Sequence, residues 1–175
     1  MPITLNGNGT ATGLSAAPNL TSVGLTTGKV IQVVTAGTNA QLSSSNTALH
    51  EITSDLRVTL TPTNANNLIL VQGFFGNLHS ATHVITLEIR KDGTTAVDPP
   101  NATSDNNSGN ILIWSSQDYM MNGSTCVSET AGNTNQRYYT PFWRINTSTA
   151  YLNSYRSSGL PYRTTSRMVA MEIEV

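Results

Sequence analysis

The feature that most constrains the fold of this chain is a series of short segments in which apolar residues recur at every second position. In Thr82–Lys91, for example, Ile85, Leu87 and Ile89 share one face of an extended chain, and polar residues share the other. This period of two indicates β-strands, because successive side chains of a strand point to opposite faces. No window of a dozen residues combines the period of a helix with helix caps. The sequence therefore predicts an all-β chain.

Turn residues separate the predicted strands. Asp92-Gly93 predicts a tight hairpin turn, and residues 98–110 predict a longer connection. Asn67–Phe75 is apolar almost throughout, which is typical of a strand buried on both faces. Short strands joined in this way indicate an antiparallel β-sandwich of jelly-roll type. The predicted strands are Lys29–Thr35, Leu56–Thr61, Asn67–Phe75, Thr82–Lys91, Ile111–Trp114, Ser124–Glu129, Gln136–Ile145, Thr149–Arg156 and Arg167–Val175.

The first 28 residues have a different pattern. They hold five of the thirteen glycines, and small or polar residues separate the larger apolar ones. No part of this segment can bury a face by itself, so we expect an extended arm that docks on another protein. The chain is thus predicted to consist of this arm, residues 1–28, and a β-sandwich domain, residues 29–175. The apolar residues expected to dock are Ile3, Leu5, Leu14, Leu20, Val23 and Leu25.

Composition argues against several classes of partner. Charged residues make up 11% of the chain, against about 25% in an average globular protein. Nine Lys+Arg against ten Asp+Glu leave no basic footprint for a nucleic acid. No apolar run approaches the ~18 residues of a membrane span, and the opening residues lack the basic start and apolar stretch of a secretory signal. We therefore expect no nucleic acid and no membrane among the partners.

The residues that most often carry chemistry do not form a convincing constellation. The single cysteine, Cys126, is predicted to be a small buried apolar residue. His79 and His83 would lie ~13 Å apart on one strand face, too far for one metal, although in a turn they could converge with His50. We favour the interpretation that these histidines are ordinary polar residues in a loop and at the start of a strand. Whether the three histidines meet in an assembly is left open.

No enzyme motif is complete. The nucleophile elbow G-x-S-x-G is absent, the carboxylates are scattered, and Gly7-Asn8-Gly9 lacks the strand–helix frame and the lysine of a phosphate loop. The sequence therefore predicts a protein that is not an enzyme and needs no cofactor.

Aromatic residues and arginines concentrate in the last third of the chain. Five of the seven arginines lie from Arg137 onward, and this pairing of residue types is typical of interface cores. Sugar-binding surfaces also use aromatic faces, and Phe142 and Trp143 could equally fill the sandwich core. The residues considered for a subunit interface or a glycan contact are Tyr138, Tyr139, Phe142, Trp143, Tyr151 and Tyr155.

Several motifs resemble a known family. The opening MPITLNGNGTATG resembles the M-x-I-T-[IL]-N-G-x-G-T-x-T-G start of short structural proteins of tailed bacteriophages. The stretch from Gly28 to Val34 resembles their G-K-V-[LI]-Q-V-V segment. Leu87–Thr94 is similar to their L-x-[IL]-x-R-[DN]-G-T hairpin, with Lys91 as one extra residue. The stretch from Leu60 to Val71 and the closing Met171-Glu172-Ile173 also resemble that family.

The resemblance implies a virion protein whose domains form trimers. Fibre-like members of the family carry a spacer of repeats after the N-terminal motif, whereas here only fourteen residues separate Gly13 from Gly28. We therefore expect a homotrimeric head-decoration (cement) protein, located in the virion and assembled in the host cytoplasm. Its arm would bind the major capsid protein or a tail or adaptor protein.

Two alternatives remain open at this point. A short tail fibre or receptor-binding knob would contact a host surface glycan, and a carbohydrate-binding module would do so outside a virion. Trimer formation is also expected from the residues themselves, because few charges protect the sheet edges. The aromatic stretch or the C-terminal strand is expected at the interface.

Overall fold

The structure is a computed structural model that describes residues 28–80, 84–97, 109–114, 121–154 and 163–175, together with the backbone of 4–5 and 11–12. Two six-stranded antiparallel sheets pack against each other, and one of them curls into a half-barrel. The predicted all-β, antiparallel sandwich is confirmed. Within the described residues, the only helical segment is the 3-10 turn Ser54–Leu56.

Fourteen strands follow each other along the described chain. They are β1 (Thr4–Leu5), β2 (Ala11–Thr12), β3 (Lys29–Thr38), β4 (Leu42–Ser44), β5 (His50–Glu51), β6 (Val58–Leu60), β7 (Leu68–Ser80), β8 (Val84–Lys91), β9 (Thr95–Ala96), β10 (Ile111–Trp114), β11 (Met121–Thr130), β12 (Arg137–Ile145), β13 (Ala150–Leu152) and β14 (Ser166–Glu174).

The first sheet has the strand order β3-β14-β7-β13-β4, with β11 paired to β7. The second has the order β10-β8-β12-β5, with β6 on β12 and β9 on β8. Strands β1 and β2 form a separate ladder of two short strands. The C-terminal strand β14 therefore occupies an interior position of the first sheet, between β3 and β7.

One hydrophobic core lies between the two sheets. Its side chains come from alternate positions of the strands, as a sandwich requires. The largest fully buried side chains are Trp143, Tyr139, Phe75, Leu56, Ile69, Leu78, Ile85, Leu87, Ile89, Ile145, Leu152 and Met168.

The hairpin turn predicted at Asp92-Gly93 is present. Both residues have positive φ, 51° and 69°, and Thr94 N–H donates to Lys91 O over 3.1 Å. Two central residues with positive φ match the twist of the flanking strands. Asp92 also accepts the backbone N–H of Tyr138 at 3.0 Å, which ties the turn to β12.

A cluster of polar side chains lies in the first sheet at the point where β7 stops pairing with β14 and begins to pair with β13. The Asn153 side chain donates to Thr38 O at 3.1 Å and to Ala40 O at 3.2 Å, and it accepts from Ser166 Oγ at 2.8 Å. Ser166 Oγ in turn accepts the N–H of Gly76 in β7. The cluster keeps buried backbone groups hydrogen-bonded where the ladder changes partners.

Glu172 is the one buried carboxylate on the inner side of β14. It accepts hydrogen bonds from Gln32 Nε2 (2.5 Å), Asn67 Nδ2 (2.6 Å) and Thr63 N–H and Oγ1 (2.7 and 2.8 Å). Burial alone would raise its pKa, but these four donors outweigh that effect and lower the pKa to about 2. Glu172 thus anchors the 61–67 loop to the first sheet.

Two predictions about burial are wrong. Asn67–Phe75 is buried on one face only, because Leu68 and Leu70 are half-buried and Phe74 is 48% exposed on the outer side of β7. Cys126 is exposed, since it pairs with Gln72 on that same outer side of the sheet. In both cases the described residues supply no second layer over the outer face of the first sheet.

Candidate interaction surfaces

The predicted aromatic cluster is divided by the alternation of β12. Tyr139 and Trp143 point into the core and are 0% and 2% exposed, whereas Tyr138 and Phe142 lie half-buried on the outer face. The core assignment considered for Trp143 is therefore correct, and Tyr139 joins it there. Only Tyr138 and Phe142 remain available at the surface of β12.

The two core aromatics have polar partners for their polar atoms. Tyr139 Oη donates to Glu129 Oε1 over 2.7 Å. Burial, followed by the bond to the Glu129 carboxylate, raises the pKa of Tyr139. Trp143 Nε1–H donates to His50 Nε2 over 3.0 Å. Both side chains are thus fixed members of the core, and neither reaches a partner molecule.

On the outer side of the second sheet, guanidinium groups cover the two exposed aromatics. We call this surface the Arg–aromatic face. Arg57 lies 4.7 Å from the ring centre of Tyr138, and Arg90 lies 5.3 Å from that of Phe142. These distances are within the range of cation–π contacts. The aromatic rings of β12 are therefore covered on one side.

Carboxylates hold both guanidinium groups of the Arg–aromatic face. Glu51 accepts from Arg57 Nε at 2.6 Å and from Thr140 Oγ1 at 2.7 Å, and Glu88 accepts from Arg90 at 2.7 Å. The bond from Arg57 is the main cause that lowers the pKa of Glu51. The polar atoms of this face largely satisfy each other, so it has the character of a self-contained surface network.

The outer side of the first sheet is very different. Outward positions of β3, β14 and β7 carry apolar side chains over three adjacent strands, and the register places them in rows. We call this surface the apolar face. Its residues are Val30 and Val33 of β3, Val169, Met171 and Ile173 of β14, and Leu68, Leu70 and Phe74 of β7.

Several members of the apolar face are strongly exposed. Val30 is 48%, Val33 55% and Phe74 48% exposed. Together with Ile31 they account for four of the seven large apolar side chains exposed in the described part of the chain. Beside Phe74, an open groove of about 400 Å³ runs past Gly76, Gly123 and Thr164. A contiguous apolar surface of this kind marks an interaction site more often than it marks an ordinary surface.

Most of the apolar face was not predicted as a functional surface. The C-terminal strand was expected at an interface, and its outward residues Val169, Met171 and Ile173 do lie at the middle of this face. The signal for the rest was the apolar run Asn67–Phe75, in which both faces of one strand are apolar. That run predicted burial on both faces of the strand, and the described residues fully bury one of them.

The other predicted positions are separated in the structure. His50 contacts Trp143 in the second sheet, whereas the fully buried His79 stacks on Tyr151 in the first, with ring centres 5.8 Å apart. His83 and Tyr155 lie outside the described residues. In the described part of the chain, no three His, Cys, Asp or Glu side chains group together as metal ligands would.

The predicted docking residues of the arm fall almost wholly outside the described residues. Leu5 belongs to β1, for which the backbone is described. The remaining positions, Ile3, Leu14, Leu20, Val23 and Leu25, are not among the residues that the structure describes. The arm as a docking element therefore stays a prediction.

No protein-family model matches this chain, and no curated protein matches its sequence. Among the described residues, there is no helix whose length and hydropathy would let it cross a membrane.

Proposed function

We propose that this chain is a structural protein of the virion surface of a tailed bacteriophage, acting as a homotrimeric head-decoration (cement) protein. Residues 1–28 anchor it to the major capsid protein, and the sandwich forms the exposed body. The motifs that resemble the phage family support the proposal. They include the Gly28–Val34 stretch at the start of β3 and the Leu87–Thr94 stretch at the β8–β9 hairpin.

The observation that carries the proposal is the apolar face. A sheet whose outer side presents Leu70, Phe74 and Met171 to water favours a protein that works in an assembly, because burial of apolar surface drives association. The low content of charge points the same way, since few charged side chains would have to be desolvated at a contact.

The spacing between the N-terminal motif and the sandwich favours decoration over a fibre. Only fourteen residues lie between Gly13 and Gly28. Fully extended, they span about 50 Å, which suits a tether to an adjacent capsid subunit and leaves no room for a shaft of repeats.

Particle composition tests the proposal directly. Purified virions are separated into heads and tails, and the chain is quantified in each by mass spectrometry against the major capsid protein. We expect hundreds of copies, all in the head fraction. A few copies to a few dozen, all in the tail fraction, would overturn the decoration role and support a short tail fibre.

Deletion of residues 1–25 tests the anchor. The variant should keep its β-type circular dichroism spectrum and its cooperative unfolding, because the sandwich core is built from residues after 28. It should fail to add to particles that lack the native protein, whereas the full chain restores them. Binding of the truncated chain at full-length occupancy would show that the arm is not the anchor.

The Arg–aromatic face favours one second candidate, a receptor-binding knob that recognises a glycan. Tyr138 and Phe142 are half-exposed, and arginines flank both. A glycan array probed with the full chain, beside a Tyr138→Ala/Phe142→Ala variant, distinguishes the two candidates. Binding that the double variant loses would favour the knob, and the decoration role predicts no glycan signal for either protein.

A further inference from the structure

The apolar face is most strongly apolar at one end. Two adjacent rows across β3, β14 and β7 consist of apolar side chains alone, namely Val33, Met171 and Leu70 in one row and Val30, Ile173 and Leu68 in the next. The rows beyond them include Thr35, Gln72 and Arg167. The two apolar rows therefore lie at the end of the sheet where β3 begins, and no described strand is layered over them.

Gly28, the residue before β3, lies against this apolar end. A Cβ added at Gly28 would lie 2.7 Å from Ile173 Cγ2, a separation that real Cβ atoms essentially never show. The backbone of Gly28 is thus already packed on the outward side chain of Ile173, and the lack of a side chain at residue 28 permits this approach. The chain that precedes β3 therefore reaches the sheet from the side of the apolar face.

The segment before Gly28 has a composition that suits this surface. The first 28 residues contain no Asp, Glu, Lys or Arg. Among the described outward positions of β3, β14, β7 and β11 in the paired rows, Arg167 is the one charged residue. No charged group of the segment would have to lose its hydration on the face. Val23 and Leu25 are two residues apart, so an extended segment presents both on one side.

The lengths also permit the contact. Leu25 is three residues before Gly28, which gives it a reach of about 10 Å. Met171 lies two residues from Ile173 on β14, a separation of about 6.6 Å in a strand. Extended, residues 20–27 span about 26 Å, and the paired rows of 167–173 span about 23 Å. One short segment can therefore run the length of the face and place Leu25 on Met171.

The size of the face favours a tethered segment over a separate molecule. Four strands about 4.8 Å apart and seven residues at about 3.3 Å each give a flat footprint of roughly 440 Å². Each partner in a specific complex typically buries about 800 Å², because association must offset the loss of translational and rotational freedom. A segment of the same chain is already held at a high effective concentration, so a smaller contact is sufficient.

We propose that residues 20–27 of the same chain occupy the apolar face in the unassembled protein, with Val23 and Leu25 on the end that holds Met171 and Ile173. These residues of the arm lie outside the described part of the chain. The inference rests on the proposed function, because it gives the anchoring arm a site on its own sandwich before the arm binds the capsid. The face is then shielded in the free subunit and is accessible to a partner when the arm binds elsewhere.

Photo-crosslinking of the full, unassembled chain tests the contact. With p-benzoylphenylalanine in place of Leu25, irradiation should link residue 25 to Met171 or its neighbours on the apolar face, as identified by mass spectrometry of the linked peptides. A mixture of nitrogen-15-labelled and unlabelled chains should show that both peptides come from one chain. The same amino acid in place of Leu5 is the control and should give no link to the face.

Dye binding tests the shielding. Anilinonaphthalene sulfonate becomes fluorescent on exposed apolar surface. Full-length Val23→Ser/Leu25→Ser should give severalfold more fluorescence than the wild type, although it is the less apolar chain. Ile3→Ser/Leu5→Ser removes two apolar side chains at the same spacing and should match the wild type. Circular dichroism should show that both variants are folded, because the core is built from residues after 28.

The outcomes separate this inference from the proposed function. Links from residue 25 that join different chains or miss the face, or equal dye binding by the wild type and Val23→Ser/Leu25→Ser, would overturn the inference. A link within one chain, for a protein that is absent from phage heads, would overturn the decoration role and leave the shielded face standing. Abundant copies in heads without that link would do the reverse.

Discussion

Trp143 donates its indole N–H to its strand neighbour His50 across 3.0 Å, and His50 in turn contacts the first sheet of the sandwich. Trp143 lies in β12 of the second sheet, while the same His50 Nε2 is 2.9 Å from Ser44 Oγ in β4 of the first. Because Nε2 accepts from the indole, the bonding assigns the ring proton to Nδ1, which donates to Ala48 O at 2.9 Å. The largest core side chain, Trp143, thus also takes part in a chain of hydrogen bonds that runs through His50 from the second sheet to the first.

Trp143→Ala should lower the free energy of unfolding by about 3–5 kcal/mol, because it leaves a cavity and removes the donor to His50. Phe142→Ala, one position along the same strand, is the matched control. Phe142 is half-exposed and contacts Arg90, so its loss should cost about 1 kcal/mol. Urea unfolding followed by circular dichroism measures both, and equal costs would show that the alternation of β12 is misassigned.

Glu172→Gln should reduce stability by about 1–3 kcal/mol for each buried donor that loses its acceptor. The lowered pKa, about 2 against an ordinary value of 4.5, means that the folded state binds this proton less readily than the unfolded state does. The carboxylate therefore contributes fully above about pH 4.5, and its contribution is lost as the pH falls towards 2. Glutamine carries no such dependence.

Urea midpoints of wild type and Glu172→Gln, measured between pH 2.5 and 7, check this dependence. The difference between the two proteins should be constant above about pH 5 and should shrink steadily below it. A difference that does not change with pH would contradict the role given to the Glu172 charge.

Arg137→Lys should cost about 2 kcal/mol even though the charge is kept. The Arg137 guanidinium, 5% exposed, donates to Ala131 O and to both oxygens of Asn133, and so holds the 131–135 loop. A lysine cannot serve these acceptors with one planar fork. Arg57→Lys on the exposed Arg–aromatic face is the control and should change stability much less. Thermal unfolding of both variants measures the two losses of stability, and equal losses would contradict the role given to the Arg137 guanidinium.

Gly93→Ala should destabilise the protein by about 1–2 kcal/mol. Gly93 has φ 69°, and an added Cβ would lie 2.9 Å from Tyr138 Oη. Gly132 has φ 71°, but there the nearest atom to an added Cβ is 4.0 Å away. Gly132→Ala should therefore lose only the stability that a positive φ costs an alanine. If urea unfolding shows a larger loss of stability for Gly93→Ala, the difference measures the contact between the added Cβ and Tyr138. Equal losses would mean that the turn relaxes away from Tyr138.

The sequence predicted the class of fold because period two is clear in strands such as β8, where Ile85, Leu87 and Ile89 alternate with polar residues. It could not show which aromatic residues of β12 face the core and which face outward. Tyr139 and Trp143 share their parity with Arg137, while Tyr138 and Phe142 share theirs with Thr140, so neither parity is distinctly apolar. Tertiary pairing with β8 and β6 decides which side faces the core.

The shortest strands were missed for a related reason. β4 and β5 have three and two residues, too few to show any period, and they exist because β13 and β12 offer them paired backbone groups. The apolar face was hidden by the same ambiguity, since an apolar run in one chain does not say whether the cover comes from that chain or from another.

The interior position of β14 determines the order in which this protein can fold. Residues 166–174 lie between β3, which begins at Lys29, and β7, so the first sheet has a gap until they arrive. Closing that gap joins segments more than 120 residues apart, which costs chain entropy before any contact is gained. During synthesis, strand β3 must therefore remain without its partner until the ribosome has released residue 174. We expect this closure to be the slow step of folding, and unpaired β3 to be the segment most prone to aggregation before it.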